Sequence, residues 1–231
     1  MTASAEVQLV GSNTNGDTVM QVDPTFQAGR FSLRPVDYAP LNGVLGGHFR
    51  AAFSYSNTAA KPAAGSQVFS LRNTDPQKIV IFKRVMLWVS CTTAYTAAGA
   101  QDMSLSVARN SSSSPSGGTA LSIAAGGYLR KTMAASILGN TLVGQISSGD
   151  TLTAGTQTVD TYPLGYAAWV NPAAAGAVVG PFYLLDQQAG DHPAICAMNE
   201  GIVLASPIGN SQAAGVSKFA VVVDWAEAVS Y

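Results

Sequence analysis

Phe49, Ala51, Phe53 and Tyr55 alternate with Arg50, Ala52 and Ser54, so apolar side chains recur at every second position. A strand repeats every two residues and a helix every 3.6, so this stretch can bury one clean face only as a strand. The same period returns where Met103, Leu105 and Val107 alternate with Ser104, Ser106 and Ala108. Residues 78–91 are different. Ile79-Val80-Ile81-Phe82 and Val85-Met86-Leu87-Trp88-Val89 flank Lys83-Arg84, a β-branched and aromatic run suited to the middle of a sheet covered on both faces for part of its length.

Val68-Phe69-Ser70-Leu71-Arg72, Phe182-Tyr183-Leu184-Leu185, Gly201-Ile202-Val203-Leu204-Ala205 and the run from Lys218 to Trp225 supply further strands. Turn formers separate them, among them Asn73-Thr74-Asp75-Pro76 and the Ser/Gly loop over residues 110–118. Residues 151–159 are Thr-rich and strand-like, and residues 128–138 are the one helix candidate. About eight to ten strands with turns between them specify an all-β fold, an antiparallel β-sandwich of jelly-roll type over residues 46–231. The chain has no fixed-period repeat, which argues against a propeller or solenoid.

Residues 1–45 read as an extended N-terminal arm. Glu6-Val7-Gln8-Leu9-Val10 and residues 18–22 are short strand candidates around the turn cluster of residues 11–17. Beyond them, Pro24, Pro35 and Pro40 accompany scattered anchors, Phe26, Phe31, Leu33 and Tyr38, with no core of their own. Gly43-Val44-Leu45-Gly46-Gly47 reads as a hinge into the main domain. Ordering such an arm costs entropy that contacts with other chains would offset.

The surface of this fold has to be made from few ions. Charged residues are 11% of the 231 and the formal net charge is −1, against about a quarter charged in ordinary soluble domains. Ala, Gly, Ser, Thr, Asn and Gln must form most of the exterior, and few ions then lose water when another protein covers it. The expected partners are therefore copies of the chain and neighbouring proteins. Nucleic acid is not expected, since no basic face is available to neutralise phosphates. A membrane is not expected either: the apolar stretches are strand-length, short of the roughly 20 residues of a spanning helix. The first residues, Met1-Thr2-Ala3-Ser4-Ala5-Glu6, lack a positive n-region and an apolar h-region, so a cytoplasmic place of folding is expected.

The residues that carry chemistry are sparse, and no enzyme activity, catalytic residue, metal ligand or cofactor is expected. His48 and His192 make no ligand spacing. Asp191-His192-Pro193 with Cys196 could pair a thiol with an imidazole, but Pro193 breaks the helical spacing that would align them, and a turn into a strand is the better reading. No Gly-x-Ser-x-Gly elbow is present. Cys91 and Cys196 read as buried small hydrophobes rather than a disulfide or a reactive thiol. Lys83-Arg84 and Arg130-Lys131 could face acidic partners, with solvated strand edges the favoured alternative. Asp224 and Glu227 read as outward carboxylates flanking a buried Trp225. Tyr162, Tyr166 and Trp169 fit a cap on the core, an interface, or a platform for sugars.

From about residue 46 onward the chain resembles a group of tailed-bacteriophage proteins. The resemblance is carried by His48-Phe49-Arg50-Ala51, by the runs through residues 68–72, 79–85 and 102–109, and by Asp191-His192-Pro193. Its most distinctive parts are Asn199-Glu200-Gly201 and the ending Trp225-Ala226-Glu227. The resemblance implies a non-enzymatic virion structural protein, assembled in the host cytoplasm, and transfers no catalytic role. Within a virion, the arm and the low-charge surface fit a capsid cement or decoration protein. Such a protein is a homo-oligomer, expected as a trimer, that clamps the major capsid protein or other virion proteins. The alternative is a tail component: a fibre, spike or receptor-binding protein.

Overall fold

The computed structural model describes residues 8–9, 18–19, 45–57, 62–121, 129–130, 138, 141–148, 151–171, 174–210 and 214–229. The chain divides into two compact units, residues 1–39 and 40–231. In the first, β1 (Gln8–Leu9) pairs antiparallel with β2 (Thr18–Val19), within the two short strands expected there.

The second unit carries, in chain order, β3 (Leu45–Ser56), β4 (Ser66–Asn73), β5 (Lys78–Thr93), β6 (Ala100–Arg109), β7 (Thr119–Leu121), β8 (Leu129–Arg130) and β9 (Leu142–Ile146). Then follow β10 (Thr158–Val159), β11 (Gly165–Val170), β12 (Val178–Asp186), β13 (Ala194–Cys196), β14 (Gly201–Ser206) and β15 (Val216–Val229). They form two antiparallel sheets. One has the order β12-β5-β15-β3-β8, with β13 continuing beside β5. The other has the order β10-β6-β14-β4-β9-β7, with β11 also beside β6. The all-β sandwich follows from the alternation in the sequence. Phe219, Val221, Val223 and Trp225 of β15 face inward and are buried, as are Phe69 and Leu71 of β4 and Met103 and Leu105 of β6. Across the sandwich Phe53 lies 5.6 Å from Phe69, and Trp169 lies 5.4 Å from Phe182, between ring centroids.

Several expectations need correcting. The segment read as a hinge enters a strand: Leu45 and Gly47 open β3, opposite Ala228 and Glu227. Leu129–Arg130, read as part of a helix, pair as a strand with Arg50 and Phe49. Alanine- and leucine-rich composition favours a helix locally, but an open sheet edge offers these backbone groups partners. In residues 151–159 only Thr158–Val159 form a strand; Thr153 makes a lone bridge to Ser116, and Leu152 N–H donates to Gln67 C=O at 2.7 Å. The main unit has more strands than the eight to ten expected, because short ones such as β7 and β8 carry no periodic signal of their own.

The turn after β4 forms where expected. Asp75 N–H donates to Asn73 Oδ1, Gln77 N–H to Asp75 Oδ1, and Lys78 Nζ lies 3.0 Å from Asp75 Oδ2. Burial raises the Asp75 pKa, but the hydrogen bonds from Gln77 and Lys78 outweigh it and hold the carboxyl below its ordinary 3.8. A depressed folded pKa means the ionised form is favoured by folding. Its contribution is complete above pH 3.8 and is lost as pH falls through the folded value. Asp75→Asn is expected to remove part of the acid limb of the stability curve. Urea melts of both proteins between pH 5 and 2 check this, by whether the two curves converge at low pH.

Candidate interaction surface

Of the aromatic anchors read from the sequence, Phe26, Phe31, Leu33 and Tyr38 lie outside the described residues. The other three lie in or just before β11, and the pairing of β11 with β6 separates them. Alternation along the strand turns Ala167 and Trp169 inward and Tyr166 and Val170 outward. Trp169 is 7% exposed, stacked on Phe182 and tilted against Phe219, and its Nε1–H donates to Asn171 Oδ1 at 3.1 Å. Its indole is core, which corrects its place among the surface candidates. Tyr162 is 86% and Tyr166 50% exposed.

Tyr166 is held rather than loose. Its hydroxyl donates to Asp102 Oδ2 at 2.7 Å, and this hydrogen bond raises the phenol pKa. Asp102, itself buried, also accepts from Ile208 N–H at 2.9 Å and from Ser206 Oγ at 3.3 Å. The acid therefore ties the Tyr166 hydroxyl and the Ile208 backbone, two residues with exposed side chains, to the same point on the sheet. Leu164, whose N–H donates to Leu105 C=O, is also exposed beside Tyr162. The result is a ring face and aliphatic groups presented at fixed positions, which suits packing against a neighbour. Sequence reading missed Ile208; an aliphatic residue inside the turn former Pro207-Ile208-Gly209 was the available signal.

The charged groups also sit differently from expectation. Asp224 is buried between two arginines. Arg50 Nε and Nη2 bind its two oxygens at 2.5 and 2.7 Å, and Arg84 Nη1 approaches at 3.9 Å. Arg84 reaches on to Asp186 at 3.2 Å and to Gln188. Lys83 is buried as well, and β5 is paired on both sides, so the solvated-edge reading fails for Lys83 and Arg84. Glu227 is buried, accepting from Trp225 Nε1–H at 3.1 Å and from Leu138 N–H at 3.2 Å. Asp224 and Glu227 are not solvated carboxylates. The most distinctive residues of the sequence are thus pieces of scaffold. Asn199 accepts from Arg72 at 2.7 Å, and Glu200 lies 3.2 Å from Arg109, which also clasps Asp160. Gly201 sits against the Leu71 carbonyl, where an added Cβ would come within 1.9 Å of the oxygen.

The Asp191–His192–Cys196 stretch gives no activated thiol. His192 is exposed and Cys196 is buried in β13. Burial pushes the Cys196 thiol up to about 12, so the nucleophilic thiolate is scarce at neutral pH. Cys91 is also buried and in no disulfide, its Sγ–H donating to Thr93 C=O. Both thiols are expected to react with Ellman's reagent only on unfolding. The raised Cys196 pKa has a further consequence: its share of stability is whole below about pH 8.5, the usual thiol value, and falls as pH rises towards about 12. Fast labelling of native protein at pH 8 would contradict the expectation that both thiols react only on unfolding. Among the described residues no group of three or more His, Cys, Asp or Glu side chains is placed to hold a metal ion, and no helix is long and apolar enough to cross a membrane. No protein-family model matches the chain, and no curated protein matches it.

Proposed function

We propose that this chain is a structural protein of a bacteriophage virion, most simply a capsid cement or decoration protein that binds neighbouring shell subunits as a homo-oligomer. The observation that carries the reading is the strand order. Successive long strands alternate between the two sheets, β3 to β4 to β5 to β6, then β11 to β12 and β14 to β15. Within the sheets they fall in the orders β3-β15-β5-β12 and β4-β14-β6-β11. We infer from this order a jelly roll, with β7, β8 and β9 as an insertion extending one edge of each sheet. Two interleaved Greek keys of this kind are common in viral capsid domains, though lectins and cupins share them, so the fold supports the class and does not decide it.

The sparse charge supports the same reading from the surface side. Among the described residues most ions are paired within the chain, buried as in Arg50–Asp224 or at the surface as in Arg109–Asp160. What is left outside is small, polar and apolar, and easily covered. The exposed Tyr162 and Tyr166 favour a second reading, a tail component that meets the host surface through ring faces. Copy number separates the two. Quantitative mass spectrometry of purified particles is expected to give hundreds of copies relative to the major shell protein. About a dozen copies would move the chain to the tail, and its absence from particles would refute both readings.

A further inference from the structure

The outer face of the β12-β5-β15-β3 sheet is patterned in rows. The first row runs Arg50, Asp224, Arg84, Asp186 across four adjacent strands, so the charges alternate plus, minus, plus, minus. The next row runs Ala52, Val222, Met86, Tyr183, two residues along from the first on β3, β15 and β5 and three on β12, where the register shifts. The one after it includes Ala220 on β15 and Trp88 on β5. In these two rows Trp88 is 40% and Tyr183 55% exposed, and no Asp, Glu, Lys or Arg occurs.

We infer that this face is an isologous contact that binds a second copy of the chain. The inference deepens the assembly reading and rests on it, by naming the surface through which copies meet. The argument is self-complementarity. A two-fold axis lying parallel to the strands, between β15 and β5, places each row opposite the same row of the second copy with its order reversed. In the first row Arg50 then meets Asp186 of the second copy, a pair of opposite sign, while Asp224 stays buried between Arg50 and Arg84 of its own chain. In the second row the largest side chain falls on the smallest, Tyr183 over Ala52, with Met86 over Val222. In the third, Trp88 falls over Ala220. Sheets packing face to face sit about 10 Å apart, and a large side chain opposite a small one fills that gap without a void. The charges of the first row pair within the sheet, so the argument rests on size, with each half of the face complementing the other as only a second copy requires. Trp88 and Tyr183 supply the anchor residues that dominate such contacts.

The test uses the purified full-length chain in sedimentation equilibrium, with acrylamide quenching of tryptophan emission over the same concentrations. The chain has three tryptophans, and Trp169 and Trp225 are buried, so quenchable emission reports on Trp88. The expected result is a mass that doubles with concentration while quenching falls in step. Ala220→Arg places a charge under the opposing indole and is expected to weaken pairing by at least about tenfold with the melting temperature little changed. Ala52→Arg, at an exposed position, should do the same and guards against misfolding of the first variant. A mass that never doubles, doubling without protection of Trp88, or doubling unaffected by either variant would each overturn the inference. An unsubstituted chain that never pairs in solution, yet is present at hundreds of copies per particle, would remove this contact and leave the virion reading intact.

Discussion

Replacing Trp225 with alanine is expected to destabilise the main unit by about 4 kcal/mol, in the range for losing a large buried aromatic side chain. In a domain of this size that lowers the melting temperature on the order of 12 °C. The indole is buried, stacked on Phe49 at 5.6 Å, and its Nε1–H satisfies one oxygen of the buried Glu227. Two effects therefore combine, a cavity at the junction of β15 and β3 and a carboxylate that loses a donor. Trp225→Phe separates them, since it keeps most of the packing and removes only the donor. It is expected to cost less than half as much. Calorimetric melts of the three proteins check this. Equal losses in the two variants would mean that the hydrogen bond to Glu227, and not the packing, dominates.

Asp224→Ala has the second largest expected effect, about 2 kcal/mol. Removing one partner from a buried ion pair commonly costs more, roughly 3–5 kcal/mol. Here Arg50 keeps a third of its side chain in solvent and can recover water, which lowers the penalty. Arg84 is the more exposed to loss, because it is less hydrated and, among the described residues, is left with Asp186 and Gln188. The double variant Asp224→Ala with Arg50→Ala should be less destabilised than the sum of the single changes, and chemical denaturation of the full cycle measures the coupling. Additive losses would show that Arg50 and Asp224 do not act as a pair.

These two positions also show where a sequence stops being readable. The long strands were legible because each declares its own period or apolar run: β3 through Phe49 to Tyr55, β6 through Met103 to Val107, β15 through Phe219 to Trp225. Strands such as β7 and β8 were not, because two or three residues take their conformation from the edge they join, whereas β13 follows the Asp191-His192-Pro193 turn as read. The buried charges were misread for a related reason. Nothing near Asp224 in sequence announces that Arg50, 174 positions away, lies beside it. A carboxylate set in Val221-Val222-Val223-Asp224-Trp225 and an arginine set in the apolar run of β5 were the available clue, because ions in the middle of two long apolar strands stay charged only if they meet. The interaction surface was half legible. Exposed Tyr162 and Tyr166 were singled out by composition, but Trp169, three residues from Tyr166, belongs to the core because the strand reverses face at every step. The rows across the β12-β5-β15-β3 sheet exist only once four strands far apart in the chain are in register.

Salt resistance of the particle-bound chain tests the assembly account most directly. Raising ionic strength from about 0.1 to 1 M shortens the range of exposed charge interactions from about 10 Å to about 3 Å, while contacts made by small and apolar groups are left intact. If scarce charge means that this exterior is made to be covered by neighbouring protein, purified particles will keep their full complement of the chain across that range. Stepwise release by moderate salt would mean that ions hold it in place, and would contradict the account.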